Sequence, residues 1–174
     1  MRRLLFSLAL LATLGFAGCG GESDGKFDED AFPFTFEYPD GWEEIDDPEA
    51  NTSLGSEAVA SHAVGLDDAN LIAVQNYSLN LAIDEGNIDQ AKKEFDGLIQ
   101  QLTPEAEATI GDVNGYPSLE YEGIPAGQKD GYKSNFTAFF IGDQEYLVNC
   151  QYDEENRDEV LAACDQTFDT LEPK

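Results

Sequence analysis

What this chain has least of is the equipment for catalysis. Its 174 residues hold one histidine, three cysteines, one tryptophan and one methionine, with nine lysines and arginines against 36 acids. A catalytic or metal role for His62 needs partners at defined geometry, and the sequence supplies none. Lying in a run of small residues on an expected strand, it reads as a structural or surface histidine. There is no G-x-S-x-G, no H-E-x-x-H, no C-x-x-C and no phosphate-cradling glycine loop. The usual nucleophile–base pairs are therefore missing, and an enzyme is not expected. A two-carboxylate hydrolase is the catalytic alternative, because acids are everywhere and none stands out. The shortage of basic residues sets aside nucleic acid as a partner, since a net charge of −27 repels phosphates. Long apolar runs are scarce too. The stretch from Leu4 to Ala17 is about 14 residues, short of the roughly 20 that cross a bilayer.

That stretch follows Arg2-Arg3 and precedes small residues, which is the layout of a secretory signal. The segment Phe16-Ala17-Gly18-Cys19 resembles a bacterial lipobox. The resemblance implies cleavage after Gly18, diacylglycerol on the Cys19 sulfur, and a membrane-anchored extracytoplasmic protein. Residues 1–18 are thus expected to be a signal peptide. The mature chain loses Arg2 and Arg3 but none of the 36 acids, and so carries −29. Solubility in a salty environment explains such acidity; a cationic partner or bound divalent ions are the alternatives.

With Cys19 assigned to lipid, Cys150 and Cys164 remain as a pair in an oxidising compartment. A bridge is expected, with two buried thiols as the alternative. Residues 19–31 are rich in Gly, Ser and acid and read as a flexible tether with a reach of about 20 Å. The folded domain is expected over 32–174.

Phe32, Phe34, Phe36 and Tyr38 alternate with smaller or polar residues, the period of a half-buried strand, and Trp42 follows the turn Pro39-Asp40-Gly41. Strands over 58–65 and 71–81 flank Asp67-Asp68. A helix is expected from Asn87, with Gln90 completing a capping box and Ile88, Ala91, Phe95, Leu98, Ile99 and Leu102 on one stripe. Strands over 106–113, 116–123, 132–141 and 144–152 are separated by glycine turns, of which Asn114-Gly115 is the strongest hairpin signal. A last helix opens near Asn156, with Glu159 as a second capping box. Its Cys164 can meet Cys150 across a sheet–helix interface. The fold class is α+β with a mostly antiparallel sheet, because tight turns rather than crossovers join its strands.

The segments FPFTFEYPDGW, VNGYPSLEYEG and EYLVNCQYDEENRDEVLAACDQTFDTLE resemble the opening, the middle hairpin and the closing strand–helix of PsbP-like domains. The resemblance spans roughly 32–172, and extends to the LpqN-type secreted lipoproteins. It implies an antiparallel sheet between helices, an α/β/α sandwich, and no shared catalytic set. A non-enzymatic binding or accessory module of the cell envelope follows, a monomer whose partner is an envelope protein or small ligand. No cofactor is expected. Calcium is the speculative exception, with Asp40, Glu43, Glu44, Asp46 and Asp47 as candidate ligands; they lack the spaced EF-hand pattern and read better as a solvated acidic face. Phe139, Phe140, Tyr132 and Tyr152 are aromatics for a groove or, more simply, for the core.

Overall fold

Tight turns give this chain its sheet. The computed structural model describes residues 25–46, 58–126 and 130–174; Cys19 and Asp47 lie outside them. Among the described residues ten strands and two helices run in the order β1 (Gly25–Phe27), β2 (Phe34–Tyr38), β3 (Glu43–Glu44), β4 (Ala60–Gly65), β5 (Leu71–Ser78), α1 (Ile88–Ile99), β6 (Thr109–Val113), β7 (Tyr116–Pro125), β8 (Lys133–Ile141), β9 (Gln144–Tyr152), α2 (Arg157–Thr170) and β10 (Glu172–Pro173). Seven strands form one sheet in the order β3-β4-β5-β9-β8-β7-β6, antiparallel at every pairing. The expected α+β class is the observed one.

Asn114 and Gly115 both take positive φ, 53° and 88°, at the tip of the β6–β7 hairpin. A two-residue turn with that backbone matches the twist of its strands, which is why Asn-Gly is favoured there. The Asn114 side-chain amide also donates to the Leu171 carbonyl, tying the hairpin to the end of α2.

Strand alternation sorts the side chains into two cores. On one face Ile72, Val74, Tyr146, Val148, Cys150 and Tyr152 meet α2 and the phenylalanines of β1 and β2. On the other face Tyr77, Leu119, Tyr121, Phe136, Phe140 and Leu147 meet Ile88, Ala91 and Ile99 of α1. The sheet is therefore covered on both sides, as the sandwich expectation requires. Cys150 on β9 and Cys164 on α2 are joined, with Cα atoms 6.1 Å apart.

Four expectations need correction. The tether does not extend to residue 31: Gly25, Lys26 and Phe27 pair with β2, and Phe27 is 2% exposed against Phe32 and Phe36. Its single aromatic, isolated among acids, finds an apolar home only once β2 is in place. Second, the strands do not make the single sheet expected: β2 lies in a separate small one, ordered β1-β2-β10, laid over the core. Third, neither capping box forms. Asn87 instead accepts from the Asp84 N–H and donates to the Ala82 carbonyl, both at 2.9 Å. Asp153 accepts from the Asn156 N–H at 2.8 Å, and from the Asn156 side chain. Fourth, α1 ends at Ile99, and Leu98 and Leu102 face solvent.

Candidate binding site

Between β5 and α1 the chain runs irregularly over 79–87, and this segment makes one wall of a groove. It is held onto the β8–β9 turn by hydrogen bonds from Leu79 N–H to the Asp143 carbonyl (2.8 Å) and from Ile83 N–H to the Gly142 carbonyl (3.0 Å). Asn87 stiffens the same segment from its other end. The groove between this wall and α1 has a volume of about 300 Å³. Its floor is apolar: Leu79, Ile83, Ala91, Phe95 and Phe140. Phe95 meets Phe140 edge to face, with centroids 6.1 Å apart. Its rim is polar, from Asn80, Asn87, Gln90 and Glu94, and Leu81 stands at the mouth, 58% exposed. A concave apolar floor with a few convergent polar groups is the ordinary form of a small-ligand site.

Beside this floor lies a buried carboxyl. Glu145 of β9 sits in register between Tyr77 of β5 and Phe140 of β8. It is buried, and among the described residues its side chain has no hydrogen-bond partner. Burial pushes its pKa up to about 7. Tyr77 donates to Gln75 Oε1 at 2.8 Å. Burial, and then the nearby Glu145 charge, push the Tyr77 phenol up to about 12. Sequence reading missed Glu145, because an acid in the alternation of β9 looks like a solvent-facing position.

A second groove of about 390 Å³ opens on the opposite face, between α2 and β6–β8. It is lined by Asp112, Glu120, Glu122, Asp165 and Asp169, with Leu161 and Phe168 as its apolar part.

The expected candidates are dispersed. Of the four groove aromatics, Phe140 lines the first groove; Phe139 and Tyr152 belong to the core beneath α2. Tyr132 is half-buried. Among the acids proposed for calcium, Asp40 accepts from the Gly41 N–H in its own turn. Glu43 and Glu44 are exposed and alternate on β3, so they face opposite ways. Among the described residues only Glu44 of this run lies in a group able to share an ion, and its companions are Glu29 and His62.

No family model matches the chain, and no curated protein is similar to it in sequence. Solved structures are similar in fold. The solution structure of cyanobacterial PsbP (CyanoP) from Synechocystis sp. PCC 6803 superposes with a TM-score of 0.57 at 15% identity, over 94% of this chain and 99% of that one. A crystal structure from Bacteroides thetaiotaomicron VPI-5482 superposes with a TM-score of 0.55 at 15% identity. That match covers 88% of this chain and 49% of the other, so this chain spans about half its length. The fold is PsbP-like.

Proposed function

We propose that this protein is a lipid-anchored, non-enzymatic binding module of the bacterial cell envelope, working through the groove between α1 and the 79–87 segment. The observation that carries the reading is the groove's composition: an aromatic floor, a polar rim and an exposed Leu81 at its mouth. A strongly acidic chain has many ways to stay soluble, and leaving leucine at 58% exposure beside a concave apolar surface is not one of them. The ligand chemistry this fits is a small, mainly apolar group with one hydrogen-bonding end. The signal-like residues 1–18 and Cys19 support delivery to the outer side of a membrane. The PsbP-like fold of the described residues suits a compact accessory domain carried on such an anchor.

The experiment is site-specific photocrosslinking of the full-length chain in its membrane. A photoreactive residue replacing Leu81 should capture a ligand or partner. The same residue replacing Ile110, which is 42% exposed on β6 at the far edge of the sheet, should not. Equal capture from both positions, or none from position 81, would overturn the reading. In the same cells Cys19→Ala should move the protein from the detergent phase to the aqueous phase; unchanged partitioning contradicts the anchor.

A further inference from the structure

The only histidine of the chain is not isolated in space. Three segments that the sequence keeps apart bring Glu29, Glu44 and His62 together, with one donor atom from each lying within 4.8 Å of the others. The register explains two of the three. Glu44 of β3 stands opposite Val64 of β4, and His62 lies two residues from Val64 on the same face, a diagonal pair across neighbouring strands. The third comes from the turn after β1. Phe27 packs edge-on against the His62 ring, with centroids 5.1 Å apart, and Glu29 follows two residues later. That packing fixes the imidazole, whose Nδ1 is 4.0 Å from Glu29 Oε1.

We propose that Glu29, Glu44 and His62 bind one divalent ion of zinc's class. The 4.0 Å separation is too long for a hydrogen bond and leaves the imidazole and carboxylate unjoined. Ligand bonds of about 2.0–2.2 Å around a tetrahedral ion place donor atoms about 3.3–3.6 Å apart. Closing from the observed spacing takes a swing of roughly an ångström by two exposed glutamates, while the packed ring stays still. Neither glutamate carboxylate is paired to a lysine or arginine among the described residues; the Lys174 ammonium bonds the Asp28 carboxylate and the Glu29 main-chain carbonyl. Two facing carboxylates without a cation repel, and an ion between them removes the repulsion.

The donor set selects the ion. One imidazole nitrogen and two carboxylates suit zinc and its first-row neighbours, with water completing the shell. Calcium takes six to eight oxygens and gains nothing from the nitrogen. The site is distinct from the α1 groove, since His62 and Glu44 lie on the α2 face of the sheet. Occupation would pin the β1 turn to the β3–β4 edge, so the ion acts on how the start of the domain is held.

A single histidine makes the test clean. Zinc titrated into the full-length chain at pH 7 should shift the one set of imidazole proton resonances, complete at one equivalent, in excess calcium as in its absence. His62→Gln should weaken zinc binding by at least about tenfold, and Glu29→Gln and Glu44→Gln by several-fold each. Glu43→Gln, an exposed neighbour facing the other way on β3, should leave it unchanged. The proposal is overturned if zinc binds without moving the imidazole signals. It is equally overturned if His62→Gln binds as the native chain does, or if calcium displaces the ion. Glu44 is exposed on a two-residue strand, so its variant reports on the ion even if the histidine variant misfolds.

Discussion

Two carboxyl groups on the α1 face are shifted in opposite directions although burial pushes both upward. Asp96 is drawn upward by desolvation, but hydrogen bonds from Lys92 (2.6 Å), the Ala108 N–H (2.8 Å) and the Tyr121 hydroxyl (2.8 Å) outweigh it and hold its pKa below the ordinary value. Its contribution to stability is present above about pH 4 and is lost as pH falls through the depressed value. Asp96→Ala should cost about 2 kcal/mol at pH 7, because it strands a buried phenol and an amide N–H. Chemical denaturation should show the gap from the native chain narrowing in acid. Glu145 has no such partners, and burial alone lifts it to about 7. The folded state therefore holds a proton that the unfolded state releases, and stability falls as pH rises from about 4.5 to 7. Glu145→Gln should match the native chain near pH 4 and exceed it at pH 8 by about 3 kcal/mol. An unchanged pH profile in this variant would mean that the carboxyl is ionised in the fold.

At the scale of elements, the closing helix is tied to the rest of the fold by a disulfide and by a hydrogen bond at its last turn. Cys150–Cys164 joins it to the centre of the sheet. Thr170 Oγ1 accepts from the Glu37 N–H at 2.9 Å, which joins its last turn to β2. A loop of this size contributes about 3 kcal/mol in the chain-entropy model. Cys164→Ala should lose about that much in a denaturant titration while keeping its far-ultraviolet dichroism, because Val160 and Ala163 still bury against the same core. This element was legible in the sequence, spacing and bridge alike, because a helix and a disulfide are declared by nearby residues. Its cap was not. Asn156 and Glu159 have the right identities, yet Asp153 does the work, held in place by Asn70 on the β4–β5 turn. The competing partner is 83 residues away, beyond any local signal. The same holds for β1, where Phe27 is visible but the strand it pairs with is chosen by the fold.

For the whole molecule, charge and topology act on different quantities. A net charge of −27 on 174 residues drives the folded chain apart, and among the described residues ion pairs of Lys92, Arg157 and Lys174 soften that repulsion only locally. The thermal midpoint at pH 7 should therefore rise with sodium chloride over the range where the Debye length shrinks from about 30 Å to about 3 Å. A flat response would show that the acids are spaced widely enough not to interact. The sequence by itself determined the antiparallel α+β class, both helices and the Asn114-Gly115 hairpin, since each rests on residues close along the chain; it also pointed to a Cys150–Cys164 bridge, which the fold closes across 14 residues. Only the tertiary structure decided that β2 leaves the large sheet, that the floor of the groove joins Phe95 to Phe140, that Glu145 is buried, and that His62 has two carboxylates beside it. Those outcomes depend on which strand lies next to which, and pairing register is settled by the packing of the whole core rather than by any local stretch of chain.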